Sequence, residues 1–176
     1  MHSDIKFILL SEEEIAKRCV ELAAEIDRDY AGRRLVLVGL LKGSVPFMAE
    51  LMKRISLDIE IDFMDVSSYC GTESVGDVRI NKDVDSSVVG DDILLVEDIV
   101  DTGRTIAKVK DFLLSKGAKS VKIISLLDKP SRRVCDIKAN YIGFEVPDKF
   151  VVGFGLDFNQ KYRNLPYVGV LKDECY

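Results

Sequence analysis

Residues 93–106 read Ile-Leu-Leu-Val-Glu-Asp-Ile-Val-Asp-Thr-Gly-Arg-Thr-Ile, branched apolar residues that run into carboxylates and a small polar turn. Ile93 to Asp98 lacks the alternation of a half-exposed strand and reads as a buried parallel one. Glu97 and Asp98 end it, Asp101 follows, and Thr102-Gly103-Arg104-Thr105 leads into a helical pattern. The first N–H groups of a helix lack intrahelical partners and carry the positive end of its dipole, so this turn can hold a phosphate. Gly103 permits close backbone approach, and Thr102 and Thr105 add hydroxyl donors. The neighbouring carboxylates can accept from ribose hydroxyls. A sugar phosphate needs both kinds of group. Plainer alternatives are a helix cap from Asp101 or Thr102, worth about 1 kcal/mol, and paired acids that are merely solvated. A cap needs one such residue, and five polar or glycine positions cluster here behind two further acids.

The elements around this corner follow from periodicity. Ser11-Glu12-Glu13-Glu14 has capping-box form, and Ile15, Cys19, Leu22 and Ile26 recur at helical spacing, predicting a helix to about Asp29. Leu35 to Leu41 is a buried strand, and Lys42-Gly43-Ser44 turns into a second helix with Pro46 in its first turn. Met48, Leu51, Met52 and Ile55 form that helix's apolar stripe, read as core. Ile59 to Val66 is another strand, and Ser67 to Asp85 is a polar stretch that is a lid, a twisted β-hairpin arm, or both. A helix from about Thr105 to Lys116 buries Ile106, Val109, Phe112 and Leu113, with Gly117 as its C′ residue. With the strand Val121 to Leu127 it completes a βαβ unit whose crossover is right-handed. Ligands in such sheets bind beyond the strands' carboxyl ends, where Glu97, Asp98, Lys42, Asp128 and Lys129 fall. From Asn140 short strands follow, Tyr141–Val146, Phe150–Phe154 and Tyr167–Leu171, expected to cap the site together with the N-terminal residues.

Composition narrows the function classes. The chain has 176 residues, 47% hydrophobic and 31% charged, which suits one soluble domain. No run approaches the ~18–20 apolar residues of a membrane span, and residues 1–6 do not resemble a signal peptide. Cys19, Cys70, Cys135 and Cys175 form no C-x-x-C pair, so a zinc site or disulfide framework is not expected, and a reducing cytoplasm is. His2 is the only histidine and excludes histidine-based triads on a rigid element. A net charge of −5 argues against nonspecific nucleic-acid binding.

The segment Val96-Glu97-Asp98-Ile99-Val100-Asp101-Thr102-Gly103-Arg104-Thr105 resembles the 5-phosphoribosyl diphosphate signature of type I phosphoribosyltransferases, in the variant of the hypoxanthine-guanine enzymes. Leu41-Lys42-Gly43-Ser44 and Pro147-Asp148-Lys149-Phe150-Val151-Val152-Gly153 match the same family, in its order and over nearly the whole chain. The resemblance implies an α/β fold: a twisted, mostly parallel sheet flanked by helices, in a single domain over 1–176. It places a core at about 11–140, a small hood from about 1–10 and 141–176, and a lid loop at about 67–85. It also implies purine salvage, with ribose 5-phosphate moving from 5-phosphoribosyl diphosphate to hypoxanthine, and to guanine, giving IMP or GMP and pyrophosphate.

The resemblance also implies the following roles, position by position. Asp101 exchanges a proton with the purine at N7, and Asp101, Thr102, Gly103, Arg104 and Thr105 form the 5′-phosphate cradle, with Arg104 serving mainly by its backbone. Glu97 and Asp98 hold the ribose hydroxyls directly or through the water shell of Mg²⁺, which Glu97, Asp98 and Asp157 serve. Lys42, Gly43 and Arg163 bind pyrophosphate, and the Leu41–Lys42 peptide can be cis in this family. Lys42-Gly43 is not a Walker A loop, since its lysine precedes the glycine. Lys129 donates to O6 of a 6-oxopurine, Phe150 stacks on the base, Val151 offers backbone to its edge, and Asp157 also belongs to the purine-binding set. Ser68 and Tyr69 match the lid. Read locally, Lys129 is instead an exposed lysine after a strand, and Phe150 and Val151 are core. Mg²⁺ also reconciles an acidic chain with an anionic ligand, needing few protein ligands. The family forms homodimers and homotetramers.

Three other readings share parts of this pattern. A xanthine-preferring enzyme differs only at the purine 2-position, and a nucleotide-sensing regulator could keep the fold without catalysis, though no basic face accompanies it. Signalling receivers also contain Ile-Leu-Leu-Val-Glu-Asp. In them it opens the domain, and the Asp-Thr-Gly turn would be left without a purpose.

Overall fold

In this computed structural model the described residues are 1–71 and 74–176, with backbone alone considered for 68–71 and 74–77. Five strands run parallel in one sheet: β2 (Leu35–Leu41), β3 (Ile59–Gly71), β5 (Asp92–Val100), β6 (Ser120–Asp128) and β7 (Tyr141–Glu145). β4 (Ser74–Lys82) pairs antiparallel with β3 at the edge, giving the order β4-β3-β2-β5-β6-β7. A second sheet of three antiparallel strands joins β1 (Ile5–Leu10), β9 (Val168–Leu171) and β8 (Val151–Val152). The mostly parallel α/β architecture is the expected one.

Helices cover both faces of the large sheet because its central strands are apolar on both. β2 is buried from Leu35 to Leu40 and β5 from Asp92 to Val96. One core layer packs Ile15, Leu22 and Ile26 of α1 (Glu12–Asp29) and Phe47 and Leu51 of α2 (Val45–Met52) against Leu37, Leu94 and Val96. The opposite layer packs Ile106, Val109 and Leu113 of α3 (Arg104–Ser115) against Val38, Leu95 and Ile123. α1 starts at a complete capping box: Glu14 N–H donates to Ser11 Oγ at 3.2 Å, and Ser11 N–H donates to Glu14 Oε2 at 2.8 Å. Gly117 is left-handed just past α3, as its C′ position requires.

Several expected boundaries shift. β5 runs on through Ile99 and Val100, because Ile99 and Val100 stay in register with Leu127 and Asp128 of β6. Glu97 and Asp98 therefore lie within a strand. β3 likewise continues to Gly71 and pairs with β4, so residues 67–85 are largely an antiparallel hairpin arm. Residues 141–145, grouped with the hood from sequence, pair with β6 as the sixth strand of the large sheet. The strand expected over 150–154 is only Val151–Val152, since left-handed Gly153, Phe154 and Gly155 end it. On α2, Met52 faces solvent and Phe47 takes the core position instead. Phe112 of α3 is partly rather than fully buried. Among the described residues no helix is long and apolar enough to cross a membrane.

Candidate active site

Three adjacent strands deliver the site. β2, β5 and β6 are neighbours, with Gly39 in register with Val96 and Glu97 with Ser125. Neighbouring strands lie ~4.8 Å apart, so the turns after Leu41, Val100 and Asp128 meet side by side at one sheet edge. That edge is the carboxyl one, where open α/β sheets bind ligands.

The turn after β5 is built without a side-chain cap. Gly103 is the N-cap of α3 with φ +83° and, having no side chain, caps none of the helix's first N–H groups. Thr102 Oγ1 accepts only a long 3.4 Å bond from Arg104 N–H. Gly103 cannot be replaced easily, because a β-carbon would run into Ile137, Arg133 and Cys135. Those residues belong to a strap that returns under the turn, with Val134 N–H donating to Thr102 O at 3.1 Å. The result is a small cavity of about 100 Å³ bounded by Glu97, Asp101, Thr102, Gly103 and Thr105. Arg104 points its side chain to solvent.

Beside it lies a larger cavity of about 640 Å³, lined by Lys129, Asp148, Phe150, Val151 and Asp157. Ile99 and Asp101 line both cavities. Lys129 is 7% exposed, which sets aside the local reading of a solvated lysine. Its ammonium donates to Lys149 O at 2.9 Å and sits 3.7 Å from Asp148. Phe150 is 37% exposed, outside the core, and stacks on Tyr176 at 4.9 Å with an angle of 22°. Val151 is buried at the start of β8.

Glu97 and Asp98 part company. Glu97 borders the small cavity, whereas the Asp98 carboxylate packs against the α-carbon of Gly43. Burial raises the Asp98 carboxyl to about 6, opposed by the N–H of Ile99, which donates to it at 2.7 Å. Burial also lifts Glu97 well above the ordinary carboxylate range, and the charge of Asp98 adds to it. Gly155 rests in turn on the Gly43 carbonyl. Arg163 braces that contact, donating to Gly155 O at 2.7 Å and pairing with Asp157 at 2.7 Å. Lys42 is exposed, and the Leu41–Lys42 peptide is cis. Gly43, Asp98, Asp157 and Arg163 thus gather at one end of the site, and Asp101 to Thr105 at the other. The side chains of Ser68 and Tyr69 lie outside the described residues.

The chain matches the phosphoribosyl transferase domain over residues 8–159. It belongs to the phosphoribosyltransferase family. Among curated relatives, the hypoxanthine-guanine phosphoribosyltransferase of Streptococcus agalactiae is 54% identical, the match covering all of this chain and 98% of the relative. The crystal structure of a hypoxanthine phosphoribosyltransferase from Staphylococcus aureus superposes with a TM-score of 0.96 at 53% identity, over 100% of this chain and 96% of the other. The Trypanosoma cruzi hypoxanthine phosphoribosyltransferase, in complex with the product IMP, gives 0.95 at 36% identity, over 100% and 99%. The fold of this phosphoribosyltransferase is therefore that of the hypoxanthine branch.

Two features of the phosphoribosyltransferase site escape a reading of the sequence. Asp148 belongs to the Pro147–Gly153 stretch, but its proximity to Lys129 needs the tertiary fold. Arg132 follows Lys129 by three residues on a short 3-10 turn (Pro130–Arg132), and that spacing was the available signal. Among the described residues, no group of three or more His, Cys, Asp or Glu side chains is arranged to hold a metal ion.

Proposed function

We propose that this chain transfers ribose 5-phosphate from 5-phosphoribosyl diphosphate to hypoxanthine, and to guanine, releasing pyrophosphate in purine salvage. The supporting observation is the pair of cavities that adjoin at Ile99 and Asp101. One has the shape and donors for a monoester, and the other has a buried lysine and an aromatic ring for a base. The new bond must form between them. In the transfer the C1′–oxygen bond to pyrophosphate breaks while a purine nitrogen bonds to C1′, through a state with positive charge on the ribose. Catalysis is then mainly orientation and electrostatics.

In this reading the open amides at Gly103 to Thr105, with Thr102, grip the 5′-phosphate. Glu97 and Asp98 address the ribose hydroxyls, and Asp101 takes the proton from the purine at N7. Lys129 donates to O6, so adenine would bring a second donor to a buried donor and be rejected. Phe150 stacks on the base and Val151 offers backbone to its edge. Gly43, Lys42 and Arg163 receive pyrophosphate, and the hairpin arm, carrying Ser68 and Tyr69, closes over the site to exclude water.

Mg²⁺ suits the donors present. Glu97, Asp98 and Asp157 offer hard carboxylate oxygens, though among the described residues they do not converge into a three-ligand cage. Mg²⁺ keeps several waters and needs only one or two carboxylates beside the pyrophosphate. Asp98 and Asp157, whose charges oppose each other, would supply these. When bound, Mg²⁺ would neutralise charge on the leaving pyrophosphate. We further propose one functional unit over 1–176, cytoplasmic, working as a homodimer or homotetramer. The relatives above favour neither a xanthine-preferring enzyme nor a non-catalytic regulator. A competition assay across hypoxanthine, guanine, xanthine and adenine tests the reading. It expects the first two to be consumed and adenine refused, and preference for adenine would overturn it.

A further inference from the structure

The wall of the larger cavity carries an unbroken line of alternating charges. Lys129 Nζ lies 3.7 Å from Asp148 Oδ1, Arg132 Nη1 lies 3.6 Å from that same oxygen, and Arg132 Nε lies 3.0 Å from Asp101 Oδ1. All four residues line the cavity. The geometry has a local cause. Lys129 is the N-cap of the 3-10 turn that Arg132 ends, and Arg132 N–H donates to Lys129 O at 3.1 Å. That bond brings the chain back on itself within three residues, and both cations reach one carboxylate. The guanidinium fork then has a second face for Asp101, which a point-charge ammonium would lack.

Asp101 Oδ1 is enclosed and has no hydrogen-bond partner among the described residues. The guanidinium is the charge it faces. The side chains of Arg132, Asp101 and Asp148 are 49%, 39% and 53% exposed, and ion pairs so exposed add little to stability. A contact of small stabilising worth at the carboxylate that handles the proton points to another use. We infer that Arg132 is a positioning residue for the transfer: it fixes the Asp101 carboxylate at the base cavity and couples that placement, through Asp148, to the lysine that reads the base. This rests on the transferase reading above. Arg132 touches neither the bond made nor the bond broken and acts through Asp101.

The test is a double-mutant cycle of Arg132→Ala and Asp101→Asn in the full chain, with Arg132→Lys as a conservative variant. Turnover is measured with hypoxanthine and 5-phosphoribosyl diphosphate, and melting temperature alongside. Arg132→Ala is expected to lower kcat about tenfold, a fraction of what misplaced reacting groups can cost. The KM for 5-phosphoribosyl diphosphate and the melting temperature stay unchanged, and Arg132→Lys restores part of the rate. In the Asp101→Asn background, Arg132→Ala has no further effect, because the group it positions is gone. Additive losses, or full activity in Arg132→Ala, would overturn the inference while wild-type transfer still stands. A wild-type chain that forms no nucleotide would instead sink the transferase reading itself.

Discussion

The α-carbon of Gly43 rests against the carboxylate of Asp98, so closely that a β-carbon on Gly43 would fall within it. The contact joins the turn after β2 to the third-last residue of β5. The Gly43 carbonyl is covered in turn by Gly155, after β8. A residue confined on two sides cannot shift to admit a larger side chain.

Gly43→Ala is therefore expected to act on both stability and activity. Overpacking of this kind costs roughly 1–3 kcal/mol, and displacing Asp98 should lower turnover by about tenfold or more. Thermal melts and steady-state assays on the same preparation check it. A variant with wild-type melting and turnover would show that the turn yields.

Asp101→Asn keeps size and loses the proton-accepting charge. Turnover should fall by ~10² or more, within the range of general acid–base catalysis. Folding should be unaffected, because the Asp101 side chain is 39% exposed and asparagine keeps its shape. Unchanged turnover would remove Asp101 from the chemistry.

Lys129→Ala should weaken use of 6-oxopurines selectively. The ammonium is buried and held by the Lys149 carbonyl at 2.9 Å, so it is poised at one place on the base cavity's wall. The expected result is a raised KM for hypoxanthine and guanine with the KM for 5-phosphoribosyl diphosphate unaltered. Equal losses for every base would contradict its assigned role.

The buried acids make the free protein sensitive to pH in a defined direction. Burial raises Asp98 from its usual 3.8 to about 6, and Glu97 is raised as well. The folded state then holds protons that the unfolded chain has released. The contribution of Asp98 is full below about pH 4 and is lost as pH rises through about 6. Melting curves of wild type and Asp98→Asn, compared in metal-free buffer, isolate it. The difference between them should change across that window, and a constant difference would count against the shift. Cation affinity should rise over the same range, since a ligating carboxylate must be deprotonated.

Much of the frame was legible because its signals are local. β2 and β5 are continuous apolar runs, Ser11 and Glu14 spell a capping box, and the phosphate turn follows its strand directly. What was hidden depends on partners distant in the chain. Tyr141–Glu145 looks like the hood strands around it, and only pairing with β6 assigns it to the large sheet. Glu97 and Asp98 read in sequence as the end of a strand that pairing carries on to Val100. Lys129 reads as solvated until Asp148 and Lys149 close over it. Arg132 carried no motif, and its place beside Asp101 follows from a turn whose form the residues alone did not reveal.

The central claim is that a pentose phosphate and a purine meet at Asp101. Its most direct measurement is isotope transfer: labelled hypoxanthine incubated with the protein, 5-phosphoribosyl diphosphate and Mg²⁺, with and without excess chelator. The account predicts labelled IMP and one equivalent of pyrophosphate, both abolished by the chelator. Label remaining wholly in free hypoxanthine, with all components present, would contradict it.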